Sequence, residues 1–550
     1  LSMTDNLLFF DFISNSRYNK DIKGHSISAL AGWTMQYQRD ESTYAFANGF
    51  ITNNVPTLNA GTVTRGDSHA SEWALLSGLA RVQYNYKGKY MVTGALRADG
   101  ASRFGKDNRW GWFPSVSAGW RLTEEPFMKS LTFIDDLKLR ASYGLTGNFR
   151  IPNYGAQGEV AYYSYVLGGN SADVVKGAAP KSMPNPELHW EKTAQVNIGF
   201  DASLFKNRLT LGLDLYNSNT YDLLLDVPVP MTTGYKTRLE NIGKVNNKGV
   251  EFNIATNQKM GDFNWSVYFN ISKNINEVKE LGPGNADIIS SGSVSNAYFI
   301  TRVGEPIGSY YLPVVEGVFK NQEEVDATLH YMDSPTNYGL ADTKPGDFKF
   351  KDVNGDKVLD ISDTDRAIVG NYMPDFIYGF GATLAWKGID FGIVFQGVQG
   401  NEILNLSRRY FYNHEGNMNN YKGALNRWKS EDEPGSGMNV RANRVSKGQN
   451  GTTSTWHVED GSYLRIKNIS LGYTLPENWI KKVYLKSARI YCSLQNPFTF
   501  THYEGYNPEV SNRSAVTTNG EDYGVYPLAR TTSIGVNPVS YTHLTLPTKA

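Results

Sequence analysis

The sequence predicts an all-β fold, one large antiparallel sheet wrapped as a membrane-spanning barrel, and three observations predict it. Apolar and polar residues alternate one by one over segments too long for a globular sheet. Tight turns alternate with long connections along the chain. No apolar run approaches the roughly 18 residues that a membrane helix needs, yet aromatics make up 13% of the chain.

The alternation is clearest from Thr193 to Leu204. Ala194, Val196, Ile198, Phe200, Ala202 and Leu204 share one face, against Thr193, Gln195, Asn197, Gly199, Asp201 and Ser203. After a Lys206-Asn207 turn it resumes with Leu209, Leu211, Leu213 and Leu215 against Thr210, Gly212, Asp214 and Tyr216. Tyr90, Val92, Gly94 and Leu96 oppose Thr93, Arg97 and Asp99, and Trp265, Val267, Phe269 and Ile271 oppose Ser266, Tyr268, Asn270 and Ser272. Period two marks a strand with one apolar face. These strands run to about 10–15 residues, whereas globular strands mostly have five or six and a tilted membrane strand needs about 9–11. The opposite face is too polar for a second sheet and suits a wet lumen.

About fifteen strands follow from this pattern: 4–14, 24–40, 69–86, 89–99, 113–122, 136–147, 189–205, 208–223, 246–257, 262–275, 376–386, 389–404, 463–474, 486–497 and 526–538. Short turns fall at 19–23, 87–89, 206–207, 259–262 and 387–390, and long excursions near 41–68, 148–188, 276–375, 405–462 and 501–525. Strict alternation of the two is the asymmetry of outer-membrane barrels, tight on the periplasmic side and long outside. The first strand leads into a short turn, so every odd strand descends and the fifteenth ends in the periplasm. Bacterial single-chain barrels have even strand numbers, so an odd count implies missing N-terminal strands. The opening LSMTDNLLFF also reads as mid-strand sequence. The chain therefore reads as a fragment, and a missing leader says nothing of compartment.

Composition narrows the function classes. Lys plus Arg and Asp plus Glu both number 54, so there is no electrostatic case for nucleic acid. The 34 Tyr and 53 Gly suit strands, turns and an interface belt. The lone Cys492 excludes a disulfide framework. The 8 His residues form no H-x-x-x-H or H-E-x-x-H pair, and no G-x-S-x-G marks a nucleophile. Acidic pairs such as Glu323/Glu324 and Glu431/Asp432 read as solvated surface. Nothing argues for an enzyme.

Several blocks carry a family resemblance. LRADGASRFGKDNRWGWFPSVSAGWRLTEEPFM (96–128), LKLRASYGLTGN (137–148), the segment 185–225, NIGKVNNKGVEF (241–252), the segment 345–380 and SYLRIKNISLGYTLP (462–476) resemble SusC/RagA-type TonB-linked outer-membrane transporters, in the family's order. The resemblance implies a 22-stranded barrel with a plugged lumen, a SusD-like surface lipoprotein partner, the TonB complex as energy source, and import of oligosaccharides or peptides. On that reading residues 1–537 are the last fifteen strands, with plug and TonB-contacting segment absent. Residues 538–550 follow the last strand without resembling strand or cap and are set apart as a non-native tail.

One loop has its own chemistry. DVNGDKVLDISD places Asp352, Asn354, Asp356, Asp360 and Asp363 at the first, third, fifth, ninth and twelfth positions of an EF-hand-like loop, with the carbonyl of Val358 at the seventh. A structural Ca²⁺ ordering an extracellular loop is the expectation, and no cofactor is otherwise required. Lys357 occupies the sixth position, where an EF-hand has Gly. The alternative is an Asx-rich turn capping its own backbone.

Two aromatic sets complete the reading. Trp110, Trp112, Phe113 and Trp120 are expected as an interface girdle rather than a sugar platform. Tyr310, Tyr311, Tyr410, Tyr412 and Trp456 are candidate ligand contacts in the long loops. The rival to a transporter is a non-transporting cell-surface glycan-binding β-sandwich adhesin with a calcium loop.

Overall fold

A computed structural model describes all residues except 1, 53, 56, 167–173, 295, 330–342, 362, 413, 416–418, 445–448, 481–484, 511–515 and 541–550. One 15-stranded sheet dominates it, and each strand is hydrogen-bonded to the next in chain order. Its strands are β1 (Ser2–Ile22), β2 (His25–Asn48), β3 (Thr62–Tyr86), β4 (Tyr90–Ala101), β5 (Trp110–Arg121), β6 (Ile134–Asn148), β7 (Glu191–Leu204) and β8 (Leu209–Tyr221). They continue with β9 (Lys244–Met260), β10 (Phe263–Glu280), β11 (Phe376–Trp386), β12 (Ile389–Gln399), β13 (Tyr463–Thr474), β14 (Leu485–Thr501) and β15 (Thr531–Ser540). All neighbours are antiparallel, and β1 and β15 are the two edges.

Turn chemistry sets the hairpins. Lys23-Gly24, Lys87-Gly88 and Lys387-Gly388 each place two consecutive residues at positive φ, between 46° and 88°. That is the type I′ pattern, whose twist matches the flanking strands. Gly supplies the second position without strain, and Lys accepts the first at about 1 kcal/mol.

The register separates two chemistries. Leu137, Ala202, Leu211, Ile254, Phe269, Phe380, Phe395, Ile466 and Phe498 pair directly from β6 to β14. One residue along, the same register aligns Lys138, Asp201, Gly212, Asn253, Asn270, Gly379, Gln396, Arg465 and Thr499. Successive side chains of a strand point to opposite faces, so one face is apolar and the other polar. The apolar face is uncovered: Ile198, Leu215 and Phe498 are 57%, 51% and 53% exposed. A β-sandwich would bury these side chains against a second sheet, so the sandwich alternative fails here. Covering each large apolar side chain is worth about 1.5–3 kcal/mol, and lipid is the cover such a face requires.

Four sequence-based details are corrected. β1 runs to Ile22 rather than stopping near residue 14, because polar residues from Ser14 to Asn19 still pair through their backbones with β2. β2 and β3 likewise extend, so the excursion expected at 41–68 shrinks to 49–61. Lengths do not alternate strictly: the loop-side connection 102–109 is shorter than the turn-side connection 122–133, which folds into two 3-10 turns. The last strand reaches Ser540, three residues into the segment set apart as a tail. Residues 541–550 of that segment lie outside the described residues.

Candidate functional site

The polar face of the sheet is built from strands that must hydrate one side. Arg140 on β6 reaches across β7 to β8, pairing with Asp201 at 2.7 Å and Asp214 at 2.9 Å. On β12 and β14, Asp390 pairs with Arg489. Neutralised charges of this kind suit a wet passage better than a dry core.

A cavity of about 660 Å³ opens on this face of β3–β7. Leu75, Arg97, Asp99, Phe113, Ser115, Ser142, Thr146 and Gln195 line it from the strands, with Phe149 and Trp190 at the loop end. Phe113 and Trp190 are 6% and 2% exposed and meet edge to face at 5.2 Å between ring centroids. They lie over β6 because position 147 is Gly: a Cβ there would stand 2.1 Å from the Phe113 ring and 2.9 Å from Trp190.

The three long excursions from β10 to β15 fold together rather than trailing as free loops. Ile288–Ser291, Tyr298–Thr301, Ser309–Leu312 and Ala367–Gly370 form a four-stranded sheet. Glu402–Asn405 pairs with Val458–Asp460 and, in parallel, with Glu521–Asp522. Glu521 accepts bonds from the Ser293 backbone N–H at 2.6 Å and hydroxyl at 2.8 Å, joining the first excursion to the last. The assembly is pinned to the polar face at Arg465, 1% exposed, which donates to Asn507 at 2.8 Å and Thr499 at 2.9 Å and pairs with Glu509. Burial works against the Glu509 charge, but Arg465 holds its carboxyl below the usual range.

The proposed ligand aromatics divide. Tyr310 is fully buried, donates to the Glu402 carbonyl at 2.9 Å and the Gly520 carbonyl at 3.1 Å, and burial raises its phenol well above its ordinary range. It is the joint between three excursions and has no face left for a ligand, a correction to the sequence reading. Trp456 is also buried, packed on Phe348 and edge-on to Tyr412, with the Arg408 guanidinium 4.1 Å from its ring centre. It too is a core residue. Tyr412, Tyr311 and Tyr410 are half-buried. Tyr311 lies under Arg302 and Arg366, and the Tyr410 hydroxyl meets that of Tyr523 at 3.1 Å.

The girdle set divides by parity. Trp110, Trp112 and Trp120 are exposed on the apolar face, at 54%, 60% and 37%. Phe113 has the opposite parity and points inward, which corrects its place in the set. Trp120 also stands at the other end of β5 from Trp110 and Trp112. There its Nε1 donates to Glu125 at 3.0 Å, beside the Lys89–Glu125 pair at 2.6 Å, and Lys89 with Tyr90 holds the Glu125 carboxyl low.

In the acidic loop the oxygens turn to their own backbone. Asp352 accepts from the Gly355 and Lys357 N–H groups at 2.7 and 2.9 Å, Asn354 from Asp356 at 2.9 Å, and Asp356 from Val358 at 2.7 Å. Asp365, outside the expected ligand set, accepts from Val353 and Asp360. The Asp360 carbonyl accepts from the Asp363 N–H at 3.3 Å. Lys357 takes φ 68° and Gly355 73°. Among the described residues no three His, Cys, Asp or Glu side chains group to hold a metal.

Sequence patterning reached Arg97, Asp99 and Asp201 as polar-face residues but not their pairing, and Arg140 only as part of a strand. Glu509 and Glu521 had no signal, since they lie in a connection without periodicity.

A one-sided apolar sheet, a charged inner wall and an interlocked cap of loops define an outer-membrane β-barrel. Residues 3–496 match the family described as TonB dependent receptor-like, beta-barrel, and the chain belongs to that family. TonB-dependent receptor P3 of Formosa agariphila is 37% identical over 94% of this chain and 51% of its own length. TonB-dependent receptor SusC of Bacteroides thetaiotaomicron is 30% identical over 86% of this chain and 44% of its own length. A solved structure of the RagAB peptide transporter superposes with TM-score 0.80 at 25% identity, covering 98% of this chain and 55% of that one. The chain thus spans about half the length of the curated relatives it matches. Its family consists of transport receptors, not enzymes.

Proposed function

We propose that the protein containing this chain imports oligosaccharides or peptides across the outer membrane, drawing energy through TonB, with a SusD-like surface lipoprotein seated over the loops. The polar row from Lys138 to Thr499, set back to back with the apolar row, carries this reading. Such a wall offers a hydrated route bounded by lipid, and Arg140 with Asp201 and Asp214, like Arg489 with Asp390, is neutralised within it. The relatives support the same reading: one carries the name SusC, and the RagAB structure is titled a peptide transporter.

Uptake by whole cells tests it. Deleting the gene is expected to abolish uptake of one class of labelled oligosaccharide or peptide, and a protonophore is expected to do the same in the wild type. Uptake that survives the protonophore would remove the TonB-driven reading. Mild-detergent purification of the full-length protein is expected to bring a lipoprotein with it; a barrel recovered alone would remove that partner.

A further inference from the structure

On its turn side the apolar face ends in a corner where aromatic rings meet cations. The register places His25, Tyr86, Tyr90, Trp120 and Leu139 in one row across β2 to β6, with the parity of Leu137 in the apolar row. This face points away from the lumen, so nothing that fills the lumen covers it. Tyr and Trp at the end of a membrane strand sit at headgroup depth.

Lys87 reaches the row from the turn between β3 and β4. Its backbone N–H donates to the Gly24 carbonyl at 2.7 Å. Its stem crosses Gly24, where a Cβ would stand 2.8 Å from Lys87 Cγ, and its ammonium ends 5.2 Å from the centre of the Tyr86 ring. His25 packs on the same ring at 4.6 Å between centroids, and its Nδ1 meets the Tyr84 hydroxyl at 2.8 Å. With Nδ1 accepting there, Nε2 is left to donate. Lys20, opposite Ile27, shares the outward parity.

The neighbouring acids are spent or face elsewhere. Glu125 accepts from Tyr90 at 2.7 Å and from Trp120 at 3.0 Å, and pairs with Lys89 at 2.6 Å. Asp21, opposite Ser26, has lumen parity. Among the described residues neither Lys20 nor Lys87 has a carboxylate within ion-pair distance. A zwitterionic headgroup would set its own ammonium against these cations with no acid to receive it. A singly anionic headgroup presents its phosphate alone, the charge that a cluster of lysines at a membrane surface attracts. Further along the strands Ile27 and Val82 are 41% and 53% exposed, and Gly94, opposite Val82, has open space where a Cβ would stand. That strip can take an acyl chain.

We propose that this corner binds one anionic phospholipid of the periplasmic leaflet, its phosphate between the Lys87 ammonium and His25 Nε2 and an acyl chain over Ile27, Val82 and Gly94. The site needs the apolar row to face lipid and is indifferent to the cargo. The β11–β12 hairpin supplies an internal comparison. Its turn also sets a lysine over a ring, Lys387 at 5.4 Å from the centre of Trp386, but 376–399 hold no second cation.

The test titrates the full-length protein, purified in mild detergent, with dioleoylphosphatidylglycerol or dioleoylphosphatidylethanolamine and reads bound lipid by native mass spectrometry. The first phosphatidylglycerol is expected to bind at least about tenfold more tightly than phosphatidylethanolamine. Lys87→Gln is expected to weaken it about fivefold, and His25→Phe, which keeps the ring and removes the donor, about threefold. Lys87→Arg and Lys387→Gln are expected to bind as wild type. Heat-modifiable migration identifies assembled variants, and His25→Phe keeps the test alive if Lys87→Gln fails to assemble. Equal affinity for the two lipids, or unchanged affinity in Lys87→Gln and His25→Phe, would overturn the site. So would a loss in Lys387→Gln as large as in Lys87→Gln, since any turn lysine would then serve.

Discussion

Position 147 on β6 shows how one residue decides a wall of the lumen. Phe113 and Trp190 occupy the space that any larger side chain there would need, the nearest ring atom lying 2.1 Å from where a Cβ would stand. Gly147→Ala is therefore expected to displace Phe113 and lower stability by about 1–3 kcal/mol, the usual range for overpacking a filled core. Urea unfolding in micelles reads this, and a change below about 0.5 kcal/mol would mean that the rings move aside freely. The acidic loop illustrates the opposite case, where side chains answer to their own backbone. Asp352, Asn354 and Asp356 accept N–H bonds from their own loop, so the backbone itself helps to hold its shape. Limited proteolysis within 352–363 is expected to run equally fast in excess Ca²⁺ and in chelator. Protection by Ca²⁺ would instead establish the calcium site that the spacing of these residues suggests.

Among elements, the contrast is between strands, which were legible in the sequence, and the loop assembly, which was not. β11 and β13 are bounded as the alternation predicts, at 376–386 and 463–474, because each residue's environment there depends only on which face it occupies. The strand Ser309–Leu312 depends on partners far along the chain: Tyr310 reaches Glu402 and Gly520. A local pattern cannot carry that, so Tyr310 and Trp456 read as exposed ligand aromatics although both are core. Girdle residues were legible as a set but not by side, since Phe113 differs from Trp112 only in parity. The same burial gives the assembly a pH dependence. His457 is fully buried among Arg408 and Arg409, and burial first, then those cations, lowers its pKa from 6.5 to about 3. Unfolding the assembly lets this imidazole take a proton near pH 6.5, whereas the folded form refuses it until about 3. Stability is therefore whole above pH 6.5 and falls as pH drops, by up to about 1.4 kcal/mol per pH unit. His414, also lowered by burial, acts in the same direction. Burial raises Glu459, whose contribution is present at low pH and lost as pH rises through its folded pKa, so it opposes the trend. Hydrogen-exchange protection across 400–462, after correction for the intrinsic slowing of amide exchange at lower pH, is expected to fall between pH 7.5 and 5.5, and His457→Asn to flatten that response; an equal response in both would assign it elsewhere.

For the whole molecule, the decisive property is that two rows one residue apart face different solvents. Ile254 and Asn253 are neighbours on β9, yet Ile254 belongs to the apolar row and Asn253 to the polar one. A lysine on the lipid side of a barrel costs about 2–4 kcal/mol near the bilayer midplane, while the same charge facing the lumen is tolerated. Phe380 sits in the middle of the apolar row, stacked on Phe395 at 4.3 Å between ring centroids. Phe380→Lys therefore loses that stacking and also places a charge in hydrocarbon, and Ile254→Lys loses only the second. Both are expected to cut the amount of full-length protein assembled in the outer membrane severalfold, with Phe380→Lys the worse. Asn253→Lys is expected to assemble at the wild-type level, and its partner across the register, Asn270 on β10, to accept lysine equally well. Heat-modifiable migration of the membrane fraction measures the assembled share. If lysine at 253 and 254 were equally harmful, both faces would be packed against protein and no lumen would exist. If lysine at both were harmless, neither face would meet lipid. Only a difference that follows parity along β9, β10 and β11 fits a sheet with hydrocarbon on one side and water on the other.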